Sequence, residues 1–257
     1  MSKFIVITSG KGGVGKTTSA VNLAAAISSF DEDVALVDVN LSTPNVGLHL
    51  GAPVVPVTLN HVLAGKAELI DAIYEHESGA KIIPSSLSIK DLKVVNKAKL
   101  GSIMVELRNV SDIVLFDSAA GLGEEALSAI EIADEVIIVT NPEMPAVTDA
   151  LKTAKLAESM GKVVKGVIIT RVKGKKSEMP LINIKEMLEL PILGVVPEDG
   201  HIQEALAMRN AVVSTHPKSA ASRSYRAIAA KMLGKEYNDS MDLGMFDRIL
   251  VNLGFRK

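Results

Sequence analysis

Apolar residues in this chain come in short unbroken runs separated by stretches with helical spacing. The runs fall at 4–8 (FIVIT), 33–38 (DVALVD), 81–84, 112–117 (DIVLFD), 135–140 (EVIIVT), 165–170 (KGVIIT) and 192–196. They are apolar at successive positions rather than alternating, as strands of a parallel sheet covered on both faces must be. Helical spacing occupies 17–29, 97–108, 124–133, 146–160, 182–190 and 219–233. Strand and helix alternate, which implies right-handed crossovers and a doubly wound sheet. The pattern therefore predicts one α/β domain over 1–233, mostly parallel, with helices on both faces. A polar linker, 234–242, and an apolar-striped tail, 243–257, follow it.

Composition narrows this picture. A chain of 257 residues, 47% apolar, can bury a full core. Aromatic residues are only 3%, with no Trp, so the core must be aliphatic and base recognition by stacked rings is disfavoured. The formal net charge is -2 and the pI about 6.2, which argues against a whole-face DNA surface. Lacking cysteine, the chain can form no disulfide, thiolate zinc site or cysteine-ligated iron–sulfur cluster. The N-terminal apolar run, 4–7, is too short for a secretory signal, and no run reaches the roughly 18 residues of a membrane span. A cytoplasmic location is expected.

Residues 10–17 fit G-x-x-x-x-G-K-[ST], between a predicted strand and a predicted helix. In that context the pattern predicts a phosphate-binding loop for ATP or ADP with Mg2+. Gly10, Gly12, Gly13 and Gly15, with Val14, let successive amide N–H groups turn into one concavity, and the helix N-terminus adds its dipole. Lys16 is expected to reach the β- and γ-phosphates, Thr17 to bind magnesium and Thr18 to donate to the α-phosphate. Asp117 ends an apolar strand, where a carboxylate beside such a loop contacts magnesium through water.

The loop carries a second lysine, Lys11. K-G-G-x-G-K-T resembles the deviant P-loop of the MinD/ParA ATPases, and the likeness, of archaeal MinD type, extends over about residues 1–233. The resemblance implies an ATP-sandwiched homodimer in which Lys11 reaches the partner's nucleotide, much as an arginine finger would. It places Asp117 and Gly121 in the family's D-x-P-A-G segment, with Ala119 where the family has proline. It also places Asp38 near magnesium, in a stretch that usually reads D-x-D. The second acid of that stretch orients the attacking water, and here the position is Asn40. An amide carries no charge and is a far poorer base, so hydrolysis is expected to be slow or absent while binding persists. Residues 41–50, with Asn45, resemble the family's switch segment. Thr170 and Arg171, with Pro197, Glu198 and Asp199, fall where the family surrounds adenine and ribose.

Relatives that need cluster-binding cysteines are excluded. ParA-type partition proteins bind DNA through basic patches. Arg209, Lys218, Arg223 and Arg226 could make a modest one, and a solvated helical face is the simpler reading. In the tail, Leu243, Phe246, Ile249, Leu250 and Leu253 form one stripe at 100° per residue. The stripe suits either an in-plane helix on an anionic membrane surface or a terminal helix packed on its own domain. MinD proteins end in such a tail. Two tails on one ATP dimer would raise avidity by roughly 10²–10⁴, so nucleotide state would control a peripheral membrane location. The resemblance thus implies a switch that positions a protein regulator or cargo. A DNA-segregation ATPase, or a module that binds ATP without hydrolysing it, is the alternative. The five histidines show no metal-ligand spacing, and the ten methionines are read as core fillers.

Overall fold

The protein is described by a computed structural model covering residues 2–92 and 100–237. The apolar tail stripe for which membrane contact is one reading, Leu243, Phe246, Ile249, Leu250 and Leu253, and the start of the helix expected over 97–108, lie outside the described residues.

Eight strands form one sheet: β1 (Lys3–Ser9), β2 (Val34–Asp38), β3 (Tyr74–Glu75), β4 (Lys81–Ile83), β5 (Ile113–Ala120), β6 (Glu135–Thr140), β7 (Val163–Val172) and β8 (Ile192–Pro197). Their order is β3-β4-β2-β5-β1-β6-β7-β8, and every pairing is parallel except β3 with β4. The seven expected strands are all present. The short β3 is the one the apolar pattern did not predict.

The helices in chain order are α1 (Lys16–Ser28), α2 (Val46–His49), α3 (Leu59–Leu63), α4 (Ile89–Leu92), α5 (Met104–Leu107), α6 (Glu124–Ile132), α7 (Met144–Ser159), α8 (Leu181–Leu188), α9 (Gly200–Ala207), α10 (Val212–Thr215) and α11 (Ala220–Leu233), with a 3₁₀ turn at Leu69–Ala72. The expected helix over 97–108 is described as helical only in α5, a single turn. Elsewhere the expected helices match to within two residues at each end.

Burial on both faces explains why β1 reads as an unbroken apolar run. Phe4 and Val6 enter one cluster, with α6, α7 and α8, while Ile5 and Ile7 enter the other, with α1, α10 and α11. Phe4 meets Phe116 of β5 edge to face, with ring centroids 5.4 Å apart. Apart from Tyr225 in the second cluster, the rest of both buried cores is aliphatic. Methionine fills the margins of the cores: Met104, Met160, Met179, Met187 and Met232 are partly buried against them, and Met144 and Met208 are exposed.

Close packing sets α11 against β8. A Cβ on Gly194 would lie 2.3 Å from Cγ1 of Ile228, so the glycine is what lets the helix approach.

Candidate nucleotide site

β1 and β5 are adjacent and parallel, so their C-terminal ends emerge together. The loop 10–15 leaves β1 and enters α1, whose first residue is Lys16. Gly13 and Gly15 sit at φ 78° and 88°, in the left-handed region that favours glycine. Gly10 serves a different purpose from the turn expected of it. A Cβ there would stand 2.3 Å from the main-chain oxygen of Asp149, so Gly10 admits the backbone of α7.

α1 has no side-chain cap and no acidic residue in its first turn. Its first amide N–H groups therefore have no side-chain acceptor from the chain, which is the condition for an anion site. Beside them, Lys16 Nζ lies 2.9 Å from Oδ1 of Asp117, and Thr17 Oγ1 donates to Oδ2 at 2.7 Å. Asp117 is fully buried and Lys16 nearly so. One carboxylate thus gathers the cation meant for phosphate and the hydroxyl meant for metal. These residues fit magnesium and a polyphosphate: a hard carboxylate oxygen, a hydroxyl, a lysine and an uncapped helix end converge at one point. Thr18 stands in the same turn, half-exposed, and Asn22 Nδ2 donates to its carbonyl.

Asp38 ends β2 in register with Asp117. Its Oδ2 accepts from the amides of Asn45 and Val46, both at 3.0 Å, and its Oδ1 from the amide of Asn40 at 3.1 Å. Asp38 therefore anchors the loop that enters α2, the stretch expected to act as a switch. Burial, then the neighbouring charge of Asp117, pushes its pKa up to about 7, against the pull of the three amides.

Asn40 is turned into its own loop. Its Nδ2 donates to Thr43 O at 2.6 Å, and its Oδ1 accepts from the Thr43 hydroxyl at 3.1 Å. Asn45 Nδ2 also donates to Thr43 O, at 2.8 Å. Farther along, Ser42 donates through its amide and hydroxyl to Glu125 of α6, a residue the sequence did not single out. Gly121, at φ 85°, donates its amide to Ser9 O at 2.8 Å, which ties the end of β5 to the start of the phosphate loop.

The structure gives several expected base-side residues intramolecular roles. Thr170 Oγ1 lies 2.5 Å from Val14 O and 3.1 Å from Thr140 O, so this buried hydroxyl braces the phosphate loop. Arg171 is exposed at φ 54°. Pro197 ends β8, and the amide of Glu198, the next residue, donates to Val172 O. Asp199 caps α9. Its Oδ1 accepts from the His201 amide and its Oδ2 from the Ala221 amide, both at 3.0 Å. Burial pushes the Asp199 pKa up, but these amides and the His201 ring outweigh it and leave the acid below its ordinary value. Tyr225 of α11 meets Ser19 Oγ of α1 at 3.2 Å, and burial pushes the phenol up to about 12.

Lys11 is exposed and lies 3.6 Å from Glu143 of its own chain, another residue that sequence reading missed. Of the basic patch, Arg223 and Arg226 donate to main-chain oxygens of Lys218 and Val213.

A glycine loop between β1 and an uncapped α1, with a lysine and threonine converging on a buried strand-end aspartate, defines a P-loop nucleotide-binding protein of doubly wound α/β fold. Residues 5–212 match the CobQ/CobB/MinD/ParA nucleotide binding domain, and the chain belongs to that family. It is 40% identical over 237 residues to an uncharacterized ATP-binding protein of Methanocaldococcus jannaschii, covering 92% of this chain and 90% of that protein. Among solved structures it is similar to the septum site-determining protein MinD of Pyrococcus horikoshii complexed with Mg-ADP, with a TM-score of 0.87 and 33% identity over 90% of this chain and 96% of that one. It is also similar to the MinC:MinD cell division complex of Aquifex aeolicus, with a TM-score of 0.83 and 28% identity over 92% of this chain and 98% of that one. Among the described residues, no helix is long and apolar enough to cross a membrane.

Proposed function

We propose that this chain is an ATP-driven dimerisation switch that hydrolyses ATP slowly and, in its ATP-bound form, positions a protein partner at an anionic membrane surface. The reading rests above all on the meeting of Lys16, Thr17 and Asp117 at the open end of α1. ATP would take over Lys16 from Asp117, and the loop amides would hold its phosphates. Bound magnesium would neutralise charge on the β- and γ-oxygens, held by Thr17 with Asp117 and Asp38 on its outer side. The P. horikoshii structure, complexed with Mg-ADP, and the A. aeolicus complex with MinC support the nucleotide, the metal and a protein partner.

Asp38 links nucleotide to switch. A shift in its carboxylate would move the amides of Asn40, Asn45 and Val46 with it. Hydrolysis would be in-line attack of water on the γ-phosphoryl group. Asn40 offers that water no free acceptor while its Oδ1 accepts from both the amide and the hydroxyl of Thr43, which favours a long-lived ATP state.

Sizing the full chain with ADP and with ATP, each with magnesium, tests the reading. The expected result is a monomer with ADP and a dimer with ATP. A monomer under both conditions would overturn it.

A further inference from the structure

α9 carries His201 and Glu204 one turn apart, and α10 ends next to His216. The fold brings these three together although His216 is 15 positions from His201 in the chain. Their ligand atoms all lie within 4.8 Å of one another. The spacing of the histidines in the sequence gave no sign of this.

Hydrogen bonds fix which ring nitrogens are free. Asp199 Oδ1 lies 2.7 Å from His201 Nδ1. The same carboxylate already accepts two main-chain amides, so His201 Nδ1 must be the donor. His201 Nε2 then carries the lone pair. For His216, Nδ1 lies 3.0 Å from Thr215 Oγ1. That hydroxyl spends its single hydrogen on Ala211 O, at 3.0 Å, so it accepts from His216 Nδ1. His216 Nε2 is again the lone pair, and it faces Glu204 Oε2 at 3.3 Å. A lone pair opposite a carboxylate oxygen at that distance repels unless a positive species lies between them. The 3.3 Å separation is also that of two ligands about 2.0–2.1 Å from one tetrahedral metal.

We propose that His201, Glu204 and His216 form a binding site for a borderline divalent transition metal, of which Zn2+ is the type, distinct from the magnesium position at the phosphate loop. Two imidazoles and one carboxylate suit such ions and not magnesium, which takes oxygen ligands. Asp199 supplies the carboxylate partner that orients a metal-bound histidine, and the Thr215 hydroxyl does the same for His216. His201 and Glu204 are exposed, so water completes the coordination and small rotamer changes bring the third ligand to bonding distance. The ion would staple α9 to the end of α10.

The test uses the untagged full chain, dialysed against Zn2+ with magnesium in large excess to fill the phosphate-loop position. Bound zinc is counted, and the ring nitrogens are followed by nitrogen NMR. One Zn2+ per chain is expected, with shifts at Nε2 of His201 and His216 only. Glu204→Gln and His216→Gln should each weaken zinc binding at least tenfold, while His61→Gln and His76→Gln leave it unchanged. Melting without zinc checks that the variants fold, and the NMR shifts of the unaltered chain need no variant. If no stoichiometric zinc is retained, or the shifts fall on other histidines, the positive species between His216 and Glu204 is a proton and the proposal fails. Retention of full affinity by both folded variants overturns it equally.

Discussion

At residue 40 an amide stands where the resemblance leads one to expect a carboxylate, and the two would behave differently in this loop. Asn40 both donates to and accepts from Thr43. An aspartate would set an oxygen against Thr43 O where Asn40 now places its Nδ2, and would turn out of the loop. Asn40→Asp is therefore expected to free a carboxylate for the attacking water. General-base help of this kind is worth roughly 10²–10⁴-fold. Single-turnover phosphate release should rise by at least about tenfold in Asn40→Asp; an unchanged rate would show that residue 40 does not limit hydrolysis. Two positions away, Asp38 makes its own prediction. Its pKa rises from 3.8 to about 7 on folding, so between those values the folded chain binds the extra proton. Stability from this group is present below about pH 4 and is lost as pH rises toward 7. Asp38→Asn should flatten the fall in denaturation midpoint over that window in nucleotide-free protein. An equal slope in both chains would reject the assignment.

At the scale of elements, burial on two faces made the strands legible, because the middles of β1, β5, β6 and β7 are covered on both sides and read as unbroken apolar runs. β3 was illegible for the converse reason: Tyr74 and Glu75 pair antiparallel at the sheet's edge and carry no apolar run. The helices α2, α3, α4 and α10 have four or five residues, too few for a period of 3.6 to register. α9 was also missed, and with it the meeting of His201 with His216. The phosphate loop was legible because its function lies in the main chain and needs a fixed local spelling. Thr170, which braces Val14 from 156 residues away, offers no local signal. Gly10 was found for an incomplete reason, since its contact with α7 comes from remote Asp149. Gly10→Ala should push the loop and α7 apart and destabilise the chain by about 1–3 kcal/mol. Thermal unfolding measures this, and a variant as stable as the parent would remove Gly10 from that role.

At the scale of the whole molecule, the question is what a second copy must displace. Lys11 is paired with Glu143 of its own chain, and both are about half exposed. An exposed pair of this kind contributes about 0.2–1 kcal/mol. An ATP dimer would release two such lysines, so the total opposition to assembly is at most about 2 kcal/mol, or roughly thirtyfold in the dimer constant. Glu143 can therefore tune dimerisation but not forbid it, whereas Lys11 facing a partner's phosphates would have no substitute. Glu143→Gln should strengthen the ATP dimer by between about twofold and about thirtyfold, and Lys11→Ala should abolish it. Removing residues 238–257 tests assembly apart from membrane attachment, because these residues follow α11 in the chain and none of them belongs to the sheet or the phosphate loop. The shortened chain should dimerise with ATP at the parent's concentration dependence yet fail to sediment with anionic vesicles. If it sediments as the parent does, the contact with lipid belongs to the α/β domain instead.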